Sequence, residues 1–415
     1  MSRKEVEKMG YKVAVMGYGV VGSGVCEVIR TNAKSLCEKL GQDISVKYVL
    51  DIREFPESDP EHDKITADFE KILNDPEISV VAEVMGGATF AYDYTKRLLM
   101  AGKSVCTSNK ELVSKHGTEL LKIAKEKNAN YLFEASVGGG IPIIRPLESS
   151  LSVNKIKSVS GILNGTTNYI LTRMFRDEVS FEDALKEAQQ KGYAERDPSA
   201  DVDGLDTGKK ISILASIIKG KKVNFKDVPT EGIRDISVFD TEFAEKLGYS
   251  VKLIGCYRHL GDSDIAFVAP MLVDKDYPLY AVSGVFNGIV VRGNMLGTSM
   301  FYGRGAGKLP TASAVVSDIV FAAKNSDAEF KAPWKSSDGS DLADVNEVAM
   351  KAYVRLQGNN PDLKTVLEKA FGTDINLIVS GDQAAFITQP DTLNNIKSKL
   401  NSIDVNVSKI LNILE

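Results

Sequence analysis

The sequence predicts an α/β protein: a Rossmann-type parallel-sheet domain, an α+β domain, and a C-terminal ferredoxin-like βαββαβ domain. Three observations predict it. From Tyr11 onward, short apolar runs alternate with helix-like stretches, the pattern of a parallel sheet covered on both faces. After Pro146 the texture changes to a mixture of long strands and helices, and the last segment reads strand, helix, strand, strand, helix, strand. A chain of 415 residues with 43% hydrophobic and 26% charged residues is too long for one core and has a globular composition.

The elements follow in order. YKVAVM (11–16) is a short buried strand, GYGVVG (17–22) a glycine turn, and a helix begins near Ser23 and runs toward Lys39. ISVKYVLD (44–51), SVVAEVM (79–85), KSVCTS (103–108) and ANYLFEAS (129–136) are further strands, separated by the helical stretches YDYTKRLLMAG and TELLKIAKEKN. In the second domain come the strand VNKIKSVSGIL, the helix FEDALKEAQQKG, an acidic loop, the apolar helix KISILASIIKG and strands around CYRHL, IAFVAPMLV and GIVVRG. GRGAGKLPTASAVVSDIVFAAK (303–324) is a glycine turn leading into a helix that completes the first domain, and the polar stretch 325–345, with the chain's single tryptophan, Trp334, is a linker. The expected boundaries are 1–146 with 303–324, 147–302, 325–345 and 346–415.

Composition excludes several classes. A net charge of −5 and no basic cluster interleaved with aromatics argue against a nucleic-acid partner. Cys26, Cys37, Cys106 and Cys256 lack C-x-x-C spacing, so neither a zinc site nor a disulfide framework is expected. The start, MSRKEVEKMG, has no apolar core, and no run approaches the ~18 apolar residues that span a bilayer; a cytoplasmic protein without membrane contact is expected.

Gly17-x-Gly19-x-x-Gly22 sits between a strand and a helix, the context a dinucleotide fingerprint requires. Gly17 permits the tight turn, Gly19 the approach of a pyrophosphate and Gly22 close helix packing, with the helix N-terminus adding positive potential. Asp51 ends the second strand, where a carboxylate accepts the ribose hydroxyls of NAD, while Arg53 could instead meet the 2′-phosphate of NADP. Lys110 follows a strand on the edge where such sheets bind ligands, and EASVGGGIP (134–142) is either a backbone bend or a nest of carbonyls for a hard cation.

KGYAERDPSADVDGLDTGKK (191–210) is the densest stretch. Ser180 and Asp183 cap the preceding helix, Phe181, Ala184, Leu185 and Ala188 form its apolar face, and Gly192 sits at its C′ position. D-V-D-G suggests a calcium loop, but with Gly204 at its sixth position Ser199 stands first and Lys210 twelfth, where acids are needed. The next helix starts near Asp206, and Lys210 is in register with Leu214 and Ile217 or Ile218, so its stem points to apolar surroundings. Burial disfavours its charged form and Asp206 at i−4 favours it, a balance that suits a general acid or base. The alternative is an exposed lysine four residues after a capping acid.

Together with EVMGG (83–87), TSNKEL (107–112), FEASVGGGIP (133–142), GILNGTTNYIL (161–171) and GRGAGKLPTASAVVSD (303–318), this loop resembles the signature blocks of homoserine dehydrogenases, in the same order over residues 11 to 324. The resemblance implies reversible NAD- or NADP-dependent reduction of L-aspartate 4-semialdehyde to L-homoserine, on the branch toward threonine and methionine. It implies that Lys210 exchanges the proton with the substrate oxygen, that Lys110 is a second catalytic lysine, and that Gly192, Glu195, Asp201 and Asp206 form the substrate pocket. Gly17, Gly19, Val20, Val21, Gly22, Gly87, Ser108, Lys110 and Gly305 match cofactor positions, beside Asp51 and Arg53. Glu134, Val137, Gly139 and Ile141 match positions whose carbonyls hold a monovalent cation, sodium by expectation. The same resemblance implies that 1–146 is a dinucleotide-binding domain, that the α+β domain 147–302 carries catalysis and dimerisation, and that the protein is a homodimer or homotetramer. No cysteine sits beside a histidine partner, which separates the chain from semialdehyde dehydrogenases with a thiol nucleophile.

The C-terminal segment resembles an ACT domain, which implies an amino-acid effector such as threonine. NNPDL (359–363) stands where that family has a D-x-P-G turn, with Asp362 replacing the glycine. A rival reading is a catalytically inactive dinucleotide-binding amino-acid sensor; the presence of Lys110, Glu195, Asp206 and Lys210 argues against it.

Overall fold

A computed structural model describes residues 10–325, 334–337, 342–358, 361–373 and 375–415. The start MSRKEVEKM, most of the expected linker, and Asn359 and Asn360 of NNPDL lie outside the described residues. The chain divides into two compact units, one of Met1–Lys155, Ser212–Phe225 and Gly303–Gly339, the other of Ile156–Ile211, Lys226–Tyr302 and Ser340–Glu415.

In the first unit, β1 (Tyr11–Met16), β2 (Ile44–Leu50), β3 (Ile65–Thr66), β4 (Ile78–Glu83), β5 (Ser104–Thr107) and β6 (Tyr131–Leu132) form a six-stranded sheet in the order β3-β2-β1-β4-β5-β6. All its pairings are parallel. The order in which strands are added reverses between β1 and β4, the point at which open α/β sheets bind ligands beyond the carboxyl ends of their strands. Val13, Val15, Val49, Val80 and Ala82 are fully buried on this sheet together with Ala312, Val315 and Ile319 of the helix Lys308–Lys324.

Two elements differ from expectation. The first helix begins at Val20 directly on the glycine turn, and it is two helices, Val20–Thr31 and Ala33–Leu40, separated at Asn32. Asparagine competes with the helix for its own backbone groups, so a break there is inexpensive. ANYLFEAS is extended only over Tyr131–Leu132 and then tightens into a 3₁₀ turn at Glu134–Ser136. The reason lies downstream: the Glu134 carboxylate turns in to accept the backbone N–H groups of Ile143, Ile144 and Arg145 at 2.6, 2.8 and 2.7 Å.

The second unit is built on β7 (Ile156–Ile162), β8 (Tyr249–His259), β9 (Asp264–Asp274), β10 (Phe286–Gly293), β11 (Gly297–Arg304), β12 (Ala352–Gln357), β13 (Ile378–Ser380), β14 (Gln383–Ile387) and β15 (Asn406–Leu414). They form one nine-stranded mixed sheet in the order β11-β10-β7-β8-β9-β15-β12-β14-β13. The C-terminal βαββαβ order is present, with the helices Leu363–Phe371 and Leu393–Ser402 packing Leu367, Ile396 and Leu400 on Val354 and Phe386. Its sheet is not separate, however, because β15 pairs in parallel with β9 from Asn412↔Met271 to Leu414↔Val273. Tyr353 and Arg355 of β12 also reach a fully buried Asp240, the tyrosine hydroxyl at 2.6 Å and the guanidinium at 2.9 Å.

Candidate active site

The candidate cofactor residues of the first unit are assembled at the carboxyl ends of the parallel strands. Gly22 is a steric requirement, since a Cβ there would lie 1.8 Å from the Gly17 carbonyl oxygen. Gly19 faces the other way, and a Cβ on it would meet no protein atom within 4 Å. The turn is thus closed below and open above, beside the N-terminus of the helix that Val20 and Val21 begin, which suits a pyrophosphate. Asp51 accepts the Tyr18 N–H at 2.8 Å and is forked by Arg53, Nε at 2.9 Å and Nη2 at 2.8 Å. The guanidinium holds this carboxyl well below the usual range. The structure therefore brings the two candidate ribose and phosphate readers together as one ion pair.

Gly87 and Ser108 lie on two neighbouring turns, after β4 and β5, and Lys110 begins the helix that follows the second, Lys110–Glu126. A residue absent from the sequence-based site joins them. Glu83, at the end of β4, is 0% exposed and accepts the Thr107 hydroxyl at 2.5 Å and the Met85 N–H at 2.9 Å. Thr107 in turn accepts the Asn109 N–H at 2.9 Å, and the Asn109 amide donates to the Gly87 carbonyl at 2.6 Å. Among the described residues no lysine or arginine pairs with Glu83. Burial pushes its carboxyl up to about 7, against the opposing pull of hydrogen bonds from Thr107, Met85 and Asn109.

Gly139 has φ +56, and a Cβ there would lie 2.2 Å from the Gly305 carbonyl oxygen, so these two glycine turns touch backbone to backbone. Val137 and Ile141 beside it are buried. The Glu134 side chain is committed to the three N–H groups already named, which leaves only backbone carbonyls for a cation. Among the described residues no group of three or more His, Cys, Asp or Glu side chains could hold a metal ion.

The candidate substrate residues lie in the second unit, where β7 ends and the helix Gly165–Asp177 begins. Lys210 is only 8% exposed, and its Nζ donates to the Leu163 carbonyl at 2.7 Å and pairs with Asp206 Oδ2 at 2.7 Å. Asn164 caps the helix by accepting the Thr167 N–H, and its amide donates to Asp201 at 2.7 Å and Asp206 at 3.0 Å. Thr166 holds the Tyr193 carbonyl at 2.6 Å, fixing the loop that carries Gly192 and the exposed Glu195. Asp201, Asp206 and Lys210 are therefore brought together, with Gly192 and Glu195 on the adjoining loop. Asp197 caps the short turn at Ser199, and Asp203 pairs with Arg234, so both shape the loop. Asn164 and Thr166 stand in the GILNGTTNYIL block, where an asparagine before Gly-Thr-Thr signals a helix cap but not its reach to two acids.

A dinucleotide fold in a chain that also buries a lysine against acids is that of a nicotinamide-dependent oxidoreductase. The protein family described as Homoserine dehydrogenase matches residues 142–320, and that described as Homoserine dehydrogenase, NAD binding domain matches residues 17–134. The homoserine dehydrogenase of Bacillus subtilis is 42% identical over 316 residues, 76% of this chain and 73% of that protein. The solved structure of a homoserine dehydrogenase from Thiobacillus denitrificans superposes with a TM-score of 0.87 at 32% identity, covering 97% of this chain and 98% of the other. A hyperthermophilic archaeal homoserine dehydrogenase mutant, solved in complex with NADPH, matches at a TM-score of 0.64 and 29% identity over 76% of this chain and 98% of its own. The chain belongs to the homoserine dehydrogenase family. It is an NAD(P)-dependent oxidoreductase that interconverts L-aspartate 4-semialdehyde and L-homoserine, and nothing favours the inactive-sensor alternative.

Glu83 gives this half of the molecule a pH dependence. Its carboxyl ionises near its ordinary 4.5 in the unfolded chain and near 7 in the folded one. Between those values the native state holds the proton and the unfolded state does not, so the contribution to stability is full below pH ~4.5 and is lost as pH rises through ~7. Glu83→Gln removes the titration; denaturant midpoints should show the variant gaining on the unaltered chain between pH 4.5 and 8, by on the order of 3 kcal/mol. A difference that does not change with pH would contradict this.

Proposed function

We propose that Lys210 exchanges the proton with the substrate oxygen, with Lys110 as a second catalytic lysine and Gly192, Glu195, Asp201 and Asp206 receiving the amino-acid end of the substrate. The seat of Lys210 carries this reading. An ammonium has three donors; the Leu163 carbonyl and Asp206 take two, which leaves one for a substrate oxygen. In reduction that donor polarises the aldehyde and passes over its proton; in oxidation the neutral amine takes the hydroxyl proton. Asp206, fixed by Asn164 and Lys210, and Asp201 give the pocket the negative charge that an α-ammonium group needs. Cys26, Cys106 and Cys256 are buried and have no part in this chemistry.

Gly17, Gly19, Val20, Val21, Gly22, Asp51, Arg53, Gly87, Ser108, Lys110 and Gly305 are the residues proposed to hold the cofactor, and a bound nicotinamide accepts or supplies the hydride. Asp51 is the ribose acceptor for NAD, and Arg53 would leave it to meet the extra phosphate of NADP; the archaeal relative's complex with NADPH supports the second as an accessible state. Purified protein should reduce NAD or NADP in the presence of L-homoserine, followed by absorbance, and Lys210→Ala should lower kcat by about 10² to 10⁴. No turnover with either cofactor would sink the assignment, and an unimpaired variant would sink the role of Lys210.

The carbonyls of Glu134, Val137, Gly139 and Ile141 are proposed to hold sodium in a structural role. Replacing sodium by choline should lower the melting temperature, and an unchanged value would remove the site. The C-terminal βαββαβ segment is proposed to sense threonine in a cytoplasmic homodimer or homotetramer. Saturating threonine should then slow turnover, whereas an unchanged rate would leave the segment a structural role.

A further inference from the structure

We infer that Glu83 is a positioning residue for the cofactor: through Thr107 and Asn109 it fixes the two turns that carry Gly87, Ser108 and Lys110. The inference rests on the cofactor reading of those three residues proposed above. A carboxyl that is 0% exposed and, among the described residues, without a cationic partner is costly, and in a strand end it would ordinarily be replaced by an apolar side chain. Here each of its oxygens has a defined task. Oε1 takes the Met85 N–H at 2.9 Å and so sets the start of the turn Met85–Gly87. Oε2 takes the Thr107 hydroxyl at 2.5 Å, and that oxygen in turn holds the Asn109 N–H at the head of the helix Lys110–Glu126.

Asn109 closes the circuit. Its Oδ1 caps the helix by accepting the Leu112 N–H at 3.0 Å, while its Nδ2 crosses to the Gly87 carbonyl at 2.6 Å. A Cβ on Gly86 or Gly87 would meet no protein atom within 4 Å, so the outer side of this turn is open and the Asn109 amide holds it from within. Both turns therefore take their geometry from one buried carboxyl, and the helix that starts with Lys110 takes its first turn from the same network. Displacing the network moves the cofactor-side residues together while leaving the Lys210 pocket, which is built from other strands, as it is.

The full-length chain with Glu83→Ala should bind NADH about tenfold or more weakly by fluorescence titration, the effect expected of stranding buried donors, while the KM for L-homoserine stays within about twofold. Glu83→Gln keeps an acceptor for one arm and should recover most of the affinity. Asn109→Ser keeps a helix cap but is too short to reach Gly87, and it should reproduce the NADH-specific loss even if Glu83→Ala fails to fold. The double variant Glu83→Ala/Asn109→Ser should lose no more than the worse single change, as members of one network do. Uptake of NADH by the unaltered chain tests the underlying reading separately, and its absence would sink both. If the unaltered chain binds NADH and the variants melt earlier yet bind it equally well, or lose L-homoserine to the same degree, the positioning role is overturned and Glu83 is a packing residue.

Discussion

A lysine ammonium can be kept buried in a helix only where its hydrogens are met, and that constraint organises the second unit around Lys210. The Leu163 carbonyl that meets Lys210 is available because it falls between the end of β7 at Ile162 and the helix that begins at Gly165. It belongs to neither ladder, so its lone pairs have no regular partner. Asn164 occupies the same gap, and as a cap residue it projects a side chain with both a donor and an acceptor. One strand-to-helix junction thereby supplies a carbonyl for the cation, an amide for two acids, and through Thr166 an anchor for the loop at Tyr193.

The same economy governs the first unit. Parallel strands stop at their carboxyl ends with donors and acceptors that no neighbouring strand takes up, and the side chains there finish what the sheet leaves undone. Asp51 after β2 takes the Tyr18 N–H, Glu83 at the end of β4 takes the Met85 N–H, and Thr107 at the end of β5 takes the Asn109 N–H. What separates the two acids is solvent and counter-charge. Asp51 has Arg53 and stays readily ionised, whereas Glu83 has only neutral donors and holds its proton to about 7.

These contrasts define what the sequence could disclose. The glycine spacing at 17–22 was legible because sterics act within a few residues, and the cap at Ser180, the C′ glycine at 192 and the inward register of Lys210 were legible for the same reason. Asp51 and Glu83 each close an apolar strand and look alike in one dimension; only coordinates reveal that one faces an arginine and the other a threonine. Asn164 reads as a cap, and its contact with acids 37 and 42 residues away is a product of packing. The break at Asn32 was missed because apolar periodicity continues across it. The join of β15 to β9 was missed because a βαββαβ order is complete in itself and gives no sign that its last strand has a second neighbour.

That join bears on how the chain is made. β9 is complete at Asp274, but the strand that covers the end of one of its edges comes about 140 residues later, since Asn412 lies opposite Met271. At a synthesis rate of roughly 5–20 residues per second, that edge waits on the order of ten seconds for its neighbour. During this interval Val268 is met by Pro229 and Glu231, but the Met271–Val273 end of the edge is exposed to other nascent chains, the circumstance in which edge-to-edge pairing starts. The second unit is therefore a late-maturing sheet, and its yield in a cell depends on how well that interval is shielded as much as on the strength of the finished contacts.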